Sequence, residues 1–465
     1  VRYISTRGRA PELGFDDALL AGLAEDGGLY VPTRWPIFSA ADWSAMAGLD
    51  YAALAAKVVA PYVQGSVVER DLAALTAQAY GGFTHKAVAP LVQLDANLWL
   101  MELFHGPTLA FKDYALQLVG LLFDAVLKAR GSRITIVGAT SGDTGSAAID
   151  ACKDKDAIDI FILHPAGRVS EVQRRQMTTV QSANVHNVAI AGSFDDCQNL
   201  VKAMFADARL RAELNLSAVN SINWARIMAQ IVYYAFAALR LGAPHRAVVF
   251  AVPTGNFGNV FAGYAAAQMG LPVAKFAVGS NRNDILTRYF ETGAMTAAAV
   301  VPTLSPSMDI QISSNFERLL FDATGRDSAA VAGLMERFKQ GGSYAVDAAA
   351  HARILAQFAG ARLDDAGTAR VIKEIHAATG EVLDPHTAVG VHAARTLKVP
   401  PGTPTVALAT AHPAKFPDAV AAAVGARPAL PPHLADLVQR PERFTSLPND
   451  LDQVKAFVRA RARRA

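Results

Sequence analysis

The sequence predicts an α/β protein in which helices flank parallel sheets. Three observations predict it. Short β-rich runs alternate with helical ones through most of the chain, and a parallel crossover has to carry a helix to bring the chain back. The 465 residues are about three times the usual domain length, enough for two or three domains around sizeable cores. No internal repeat or low-complexity stretch is present, which excludes a solenoid.

The elements follow in order. From Phe15 to Tyr80 the text reads as helices set between turns: DDALLAGLAEDGG, SAADWSAMAGL and YAALAAKVVAPYV, with Gly27 and Gly28 reversing the chain before LYVP. This predicts a small helical amino-terminal domain over residues 1–90. Beyond it RITIVGA precedes GSAAIDAC, AIDIFIL precedes VSEVQRRQM, HRAVVFAV precedes NVFAGYAAAQM, and TPTVALA precedes KFPDAVAAAV. Each pair is a strand feeding a helix. The end of the chain, LDQVKAFV followed by RARARRA, reads as a frayed amphipathic helix with a solvated basic face, a helical tail over 441–465.

Composition removes several function classes. A net charge of +3 spread over the whole chain makes no nucleic-acid footprint, which needs basic residues gathered on one face. Hydrophobic residues reach 52%, yet no uninterrupted apolar run approaches the roughly 18 needed to span a bilayer. The opening VRYISTRGRAPELGF lacks the apolar stretch of a secretory signal, so the expected compartment is the cytoplasm. Cys152 and Cys197 are too few for a disulfide framework and stand in no metal-ligand spacing, so no metal is expected.

Ligands of parallel α/β sheets sit where strands end and helices begin. Three such loops are unusual. ATSGDTGS, Ala139 to Ser146, packs hydroxyls and glycines at a positive helix end and is expected to hold an anion. PTGNFGN, Pro253 to Asn259, has glycines that let backbone approach a phosphate closely. Neither fits the dinucleotide or nucleoside-triphosphate signatures. ATAHPAKF, Ala409 to Phe416, presents Thr410, His412 and Lys415 after a strand. Upstream, Lys112 in LFHGPTLAFKDYALQLVG stands between Phe111 and a long apolar helical face. A partly desolvated pocket there disfavours the ammonium, and a neutral amine can attack an aldehyde.

FHGPTLAFKD, TSGDTGS, PTGNFGN, GSNRNDIL, SPSMDIQISSNFERL and ATAHPAKF together resemble the threonine synthase family, in its branch similar to the fungal and enteric bacterial enzymes. YISTRG, DGGLYVP, NSINWARI and LDPHTAVG extend the resemblance over roughly residues 1 to 440. It implies a fold-type II pyridoxal-phosphate (PLP) enzyme, similar in fold to the tryptophan synthase β-subunit. The catalytic region would be residues 91–440, as two subdomains with PLP in the cleft. The implied reaction converts O-phospho-L-homoserine and water to L-threonine and phosphate in a monomer or homodimer. Lys112 would carry the cofactor as a Schiff base and later move protons. Gly255, Asn256, Phe257, Gly258 and Asn259 match the cofactor-phosphate loop, and Thr410 the hydroxyl beside the pyridine nitrogen. Thr140, Ser141, Gly142, Asp143 and Thr144 would take the substrate's carboxylate. Asp143 is awkward near an anion, and is expected either to accept from the cofactor's ring hydroxyl or to cap the next helix. For the substrate's phosphate the candidates are Asn281, Arg282 and Asn283, with Ser5, Thr6, Arg7, Arg168, Arg174 and Arg175 besides; a guanidinium is the preferred clamp. The rivals are another fold-type II activity, such as a dehydratase or β-replacing synthase, and a catalytically silent relative kept for binding.

Overall fold

The computed structural model describes residues 1–218 and 221–463. Asn220, which opens NSINWARI, and Arg464 of the terminal basic run lie outside the described residues.

Among the described residues, two largely parallel sheets carry the architecture. The larger runs in the order Phe358–Arg362, Val273–Ser280, Val248–Pro253, Thr405–Ala409, Leu98–Glu102, Leu91–Gln93, and only its last pair is antiparallel. The smaller runs Thr445–Pro448, Val185–Ala191, Ile158–Pro165, Ile134–Ala139, Leu216–Ser217, parallel throughout. The central strands Val248–Pro253, Thr405–Ala409 and Ile158–Pro165 are buried at every residue. That is why they read as near-continuous apolar runs: helices cover both faces.

The helix Trp224–Arg240 explains how the sheets are held together. Its sequence is apolar on all sides, and all but its last residue are buried against the helices Tyr51–Val63, Lys112–Ala129 and Gly258–Gln268. Asn223 caps it, its side chain accepting from the Ala225 N–H at 2.9 Å.

The amino-terminal segment has helices where the turn signals place them, Phe15–Ala21, Ala40–Met46 and Tyr51–Val63, and a further pair of short strands, Tyr3–Ser5 and Tyr30–Pro32. Its apolar face is not closed on itself. Tyr3 and Tyr62 both pack on Trp224, with ring centroids 6.1 and 5.5 Å away, so one core runs through this segment and the catalytic region.

The carboxyl-terminal segment corrects the expectation of a frayed, solvated helix. Thr445–Pro448 adds an edge strand to the smaller sheet, and Leu451–Arg461 packs back on the helix Phe194–Ala206. Its cations have acidic partners: Lys455 on Asp207 at 2.8 Å, Arg459 on Glu213 at 3.1 Å and Arg463 on Asp159 at 2.7 Å. A local reading of charge could not find partners some 250 to 300 residues away.

Candidate active site

Four strand-to-helix connections converge on one cavity of about 300 Å³ between the sheets. Three leave the carboxyl ends of larger-sheet strands, Leu98–Glu102, Val248–Pro253 and Thr405–Ala409, and the fourth leaves Ile134–Ala139 of the smaller sheet. Lys112 opens the helix that follows the first of these. The residue is only 8% exposed, and its Nζ lies 4.8 Å from the centre of the Phe111 ring. Burial holds this amine below the ordinary lysine range, aided by the charges of Lys415 and Arg226 and opposed by Asp143.

Asp143 lies at the hub of the polar network. One carboxylate oxygen faces Lys112 Nζ at 3.4 Å and Ser307 Oγ at 3.4 Å. The other accepts from Lys415 Nζ at 2.7 Å and Gln173 Nε2 at 2.8 Å. Burial alone would raise this carboxyl, but the charges of Lys415 and Lys112, with these hydrogen bonds, hold it well below the carboxylate range. The loop before it is internally braced: Thr140 Oγ1 accepts from the Gly142 and Gly145 N–H groups. Gly142 adopts φ 145°, and a Cβ there would stand 2.5 Å from Gln173, so the turn requires glycine.

Across the cavity, residues 254–257 lead into the helix Gly258–Gln268, whose first N–H groups have no intrahelical partners. Phe257 turns the chain at φ 61°. A Cβ on Gly255 would lie 3.2 Å from the backbone of Ser307 and Met308, so glycine admits that loop against the turn. The loop is fixed from behind: Ser313 Oγ donates to the Gly255 carbonyl at 2.7 Å, and Asn315 Nδ2 to the Asn256 carbonyl at 3.0 Å. Asn259 Oδ1 accepts from the hydroxyls of Tyr233 and Tyr234 at 2.6 and 2.8 Å, while its buried Nδ2 has no partner among the described residues.

Two wall residues stand out. Arg226, in the first turn of the central helix, is 5% exposed, and neither its Nε nor its Nη1 has a hydrogen-bond partner among the described residues. Burial lowers its guanidinium to about 10, with the Tyr233 charge acting the other way. His386 receives the Ser307 N–H on Nε2 at 3.3 Å, which leaves its proton on Nδ1, 2.7 Å from Asp384.

Compared with known families, residues 2–80 match the family described as threonine synthase N terminus, 83–337 that of pyridoxal-phosphate dependent enzymes, and 387–458 that of threonine synthase, C-terminal. The chain belongs to the threonine synthase family. A threonine synthase of Pseudomonas aeruginosa is 57% identical to it over 459 residues, 98% of each chain. The PLP-bound threonine synthase of Brucella melitensis superposes with a TM-score of 0.98 at 56% identity, covering 99% of each chain. The yeast threonine synthase structure gives 0.95 at 38% identity, covering 99% of this chain and 98% of that one. The fold-type II architecture implied by the resemblance is therefore the fold of this family member.

The expected site residues divide into three groups. Lys112, Ser141, Asp143, Thr144, Gly255, Asn256, Phe257, Gly258, Asn259 and Thr410 all line the cavity. Thr140 and Gly142 lie just behind it, shaping the loop. Asn281, Arg282 and Asn283 stand outside its lining. Asn281 Nδ2 donates to Thr303, Ser305 and Asp309, Asn283 Nδ2 to Val301 and Asp309, and Arg282 is exposed. The two asparagines brace the loop whose next residues, Pro306 to Ile310, do line the cavity. The other phosphate candidates are also committed elsewhere: Ser5 to Asp26, Thr6 and Arg7 to Glu317, Arg174 and Arg175 to Glu442, with Arg168 exposed. Asp143 does not cap its helix. Arg226 and His386 were missed, although both stand in strings that carried the resemblance. An arginine in the first turn of a wholly apolar helix was the available signal.

Proposed function

We propose that this chain converts O-phospho-L-homoserine and water to L-threonine and phosphate, with PLP attached through Lys112. The observation that carries the reading is one cavity bringing together a buried amine, a glycine-lined helix start and a buried guanidinium whose Nε and Nη1 have no partner among the described residues. These groups fit PLP and a phosphorylated amino acid. The 255–259 turn, with its first-turn N–H groups and an Asn259 Nδ2 that has no partner among the described residues, would hold the cofactor's phosphate, Asp143 would accept from its ring hydroxyl, and Thr410 would stand at its ring nitrogen. When bound, PLP supplies the electron sink that acidifies hydrogens on the substrate's carbons.

The chain's own residues do the rest. Lys112 Nζ, released from the cofactor, takes and returns protons at the substrate's carbons. Ser141 and Thr144 receive the α-carboxylate. Arg226 holds the γ-phosphate through departure, anchoring the end that would otherwise leak into side products. His386 and Asp384 hold the Ser307 loop over the cavity and limit water to the molecule that adds. Residues 1–90 frame this site, 91–440 build it, and 441–463 complete the smaller sheet.

The enzyme acts as a monomer or a homodimer. Among the described residues no helix is long and apolar enough to cross a membrane, and the reading places the enzyme in the cytoplasm. The test is to incubate the purified protein with PLP and phosphohomoserine. Threonine and inorganic phosphate in equal amounts are expected, with loss of both in Lys112→Ala; phosphate without threonine would indicate elimination instead.

A further inference from the structure

Two lysines share one carboxylate beside the cavity, and they are not equivalent. Lys112 meets Asp143 at 3.4 Å and faces the cavity. Lys415 has no exposed surface, meets the other oxygen of Asp143 at 2.7 Å, and donates a second 2.7 Å bond to the Thr108 carbonyl. An ammonium so coordinated is the direct counterion of Asp143 and takes up its negative charge. A second ammonium at Lys112 would then be a surplus cation in a buried site that also holds Arg226. Giving up the Lys112 proton removes the surplus.

The remaining charged neighbours have partners of their own, and Asp309 of the cavity wall accepts from Asn281, Asn283 and Thr303. Asp113 is turned away from the cavity, accepting from the Thr108 N–H and hydroxyl at 2.8 and 2.6 Å. His386 stands in the wall with its own partner, Asp384.

We propose that Lys415 is a positioning residue for the reaction: as the standing counterion of Asp143, it leaves Lys112 to work as a neutral amine. The proposal rests on the reading of Lys112 as the cofactor-bearing lysine. Lys415 also answers how a carboxylate is tolerated beside an anionic substrate, since its charge is already matched from behind.

The test uses the holoenzyme and follows the visible absorbance of bound PLP against pH, which reports the proton on the Lys112 nitrogen. Lys415→Gln keeps polar donors and removes the charge; the midpoint is expected to rise by about one pH unit, tenfold in proton affinity. Lys415→Arg is expected to restore it. Asp143→Asn, which removes the anion, is expected to move the midpoint down, and it decides the matter if Lys415→Gln does not fold. A midpoint unmoved in Lys415→Gln, with only stability or cofactor content reduced, overturns the proposal, as does an unmoved or raised midpoint in Asp143→Asn. Borohydride reduction and peptide mapping separate the two readings. No cofactor mass on the Lys112 peptide removes the proposed attachment, whereas a mass there with an unmoved midpoint removes only the role of Lys415.

Discussion

Two buried guanidiniums lie a short way apart and have opposite surroundings. Arg318, fully buried, donates to the Tyr30 carbonyl at 3.0 and 3.1 Å, to the Ile222 carbonyl at 2.5 Å and to Asn315 Oδ1. It thereby ties the amino-terminal strands to the entry of the central helix and to the segment behind the 255–259 turn. Arg226 is almost as deeply buried, yet two of its three nitrogens are without partners among the described residues. A buried cation with every nitrogen paired is an element of structure. One with donors to spare, beside a cavity, is set up for an anion that comes and goes.

The sharpest way to break this comparison is to replace each arginine by methionine. Arg318→Met leaves two buried carbonyls and an amide without donors, and should lower unfolding stability by about 3–5 kcal/mol in a denaturant titration. Arg226→Met removes an unmatched charge and should leave stability unchanged or raised. Its cost falls on turnover: kcat/KM for phosphohomoserine should drop by about 10²–10³, the loss of a charge-assisted phosphate clamp. Equal destabilisation by the two substitutions would end the distinction.

Inorganic phosphate sharpens it further. At about ten times its dissociation constant it should stabilise the wild-type protein by about 1.4 kcal/mol in a thermal shift, and Arg226→Met should lose that response.

A further contrast concerns a buried carboxyl both of whose oxygens already accept hydrogen bonds. Burial pushes Asp113 up to about 7, against the bonds from Thr108. A folded-state value above the unfolded one means that its contribution is fully present below the unfolded value and is lost as pH rises through about 7. Stability should therefore fall between about pH 4 and pH 7 by up to a few kcal/mol, and Asp113→Asn should flatten that slope.

Much of the site could be read along the chain because its parts are local. The apolar stretch after Lys112 and the glycines around Asn256 each sit within a few residues of the strand or helix end that gives them meaning. Where a local reading stops short, the neighbour that matters is distant. Arg7 reads as a candidate phosphate ligand, and the fold sets Glu317 on it at 2.9 Å; Asn281 reads as a candidate substrate contact, and the fold sets Thr303 and Asp309 on its amide. An arginine inside an apolar helix hints at Arg226, but that its Nε and Nη1 have no partner among the described residues is a property of the folded chain that no string of letters displays.

By itself, then, the sequence determined the alternation of strands and helices, the loops at their junctions and the amine at the head of its helix, since backbone propensity and apolar periodicity act over a few residues. Tertiary structure alone decided which charges are matched. Lys415 reaches Thr108 across 307 residues, the amino-terminal segment closes its core on Trp224, and Arg226 has two nitrogens without partners among the described residues. The physical reason is that the free energy of a buried charge depends on every group within a few ångströms of it, and only folding brings those groups there.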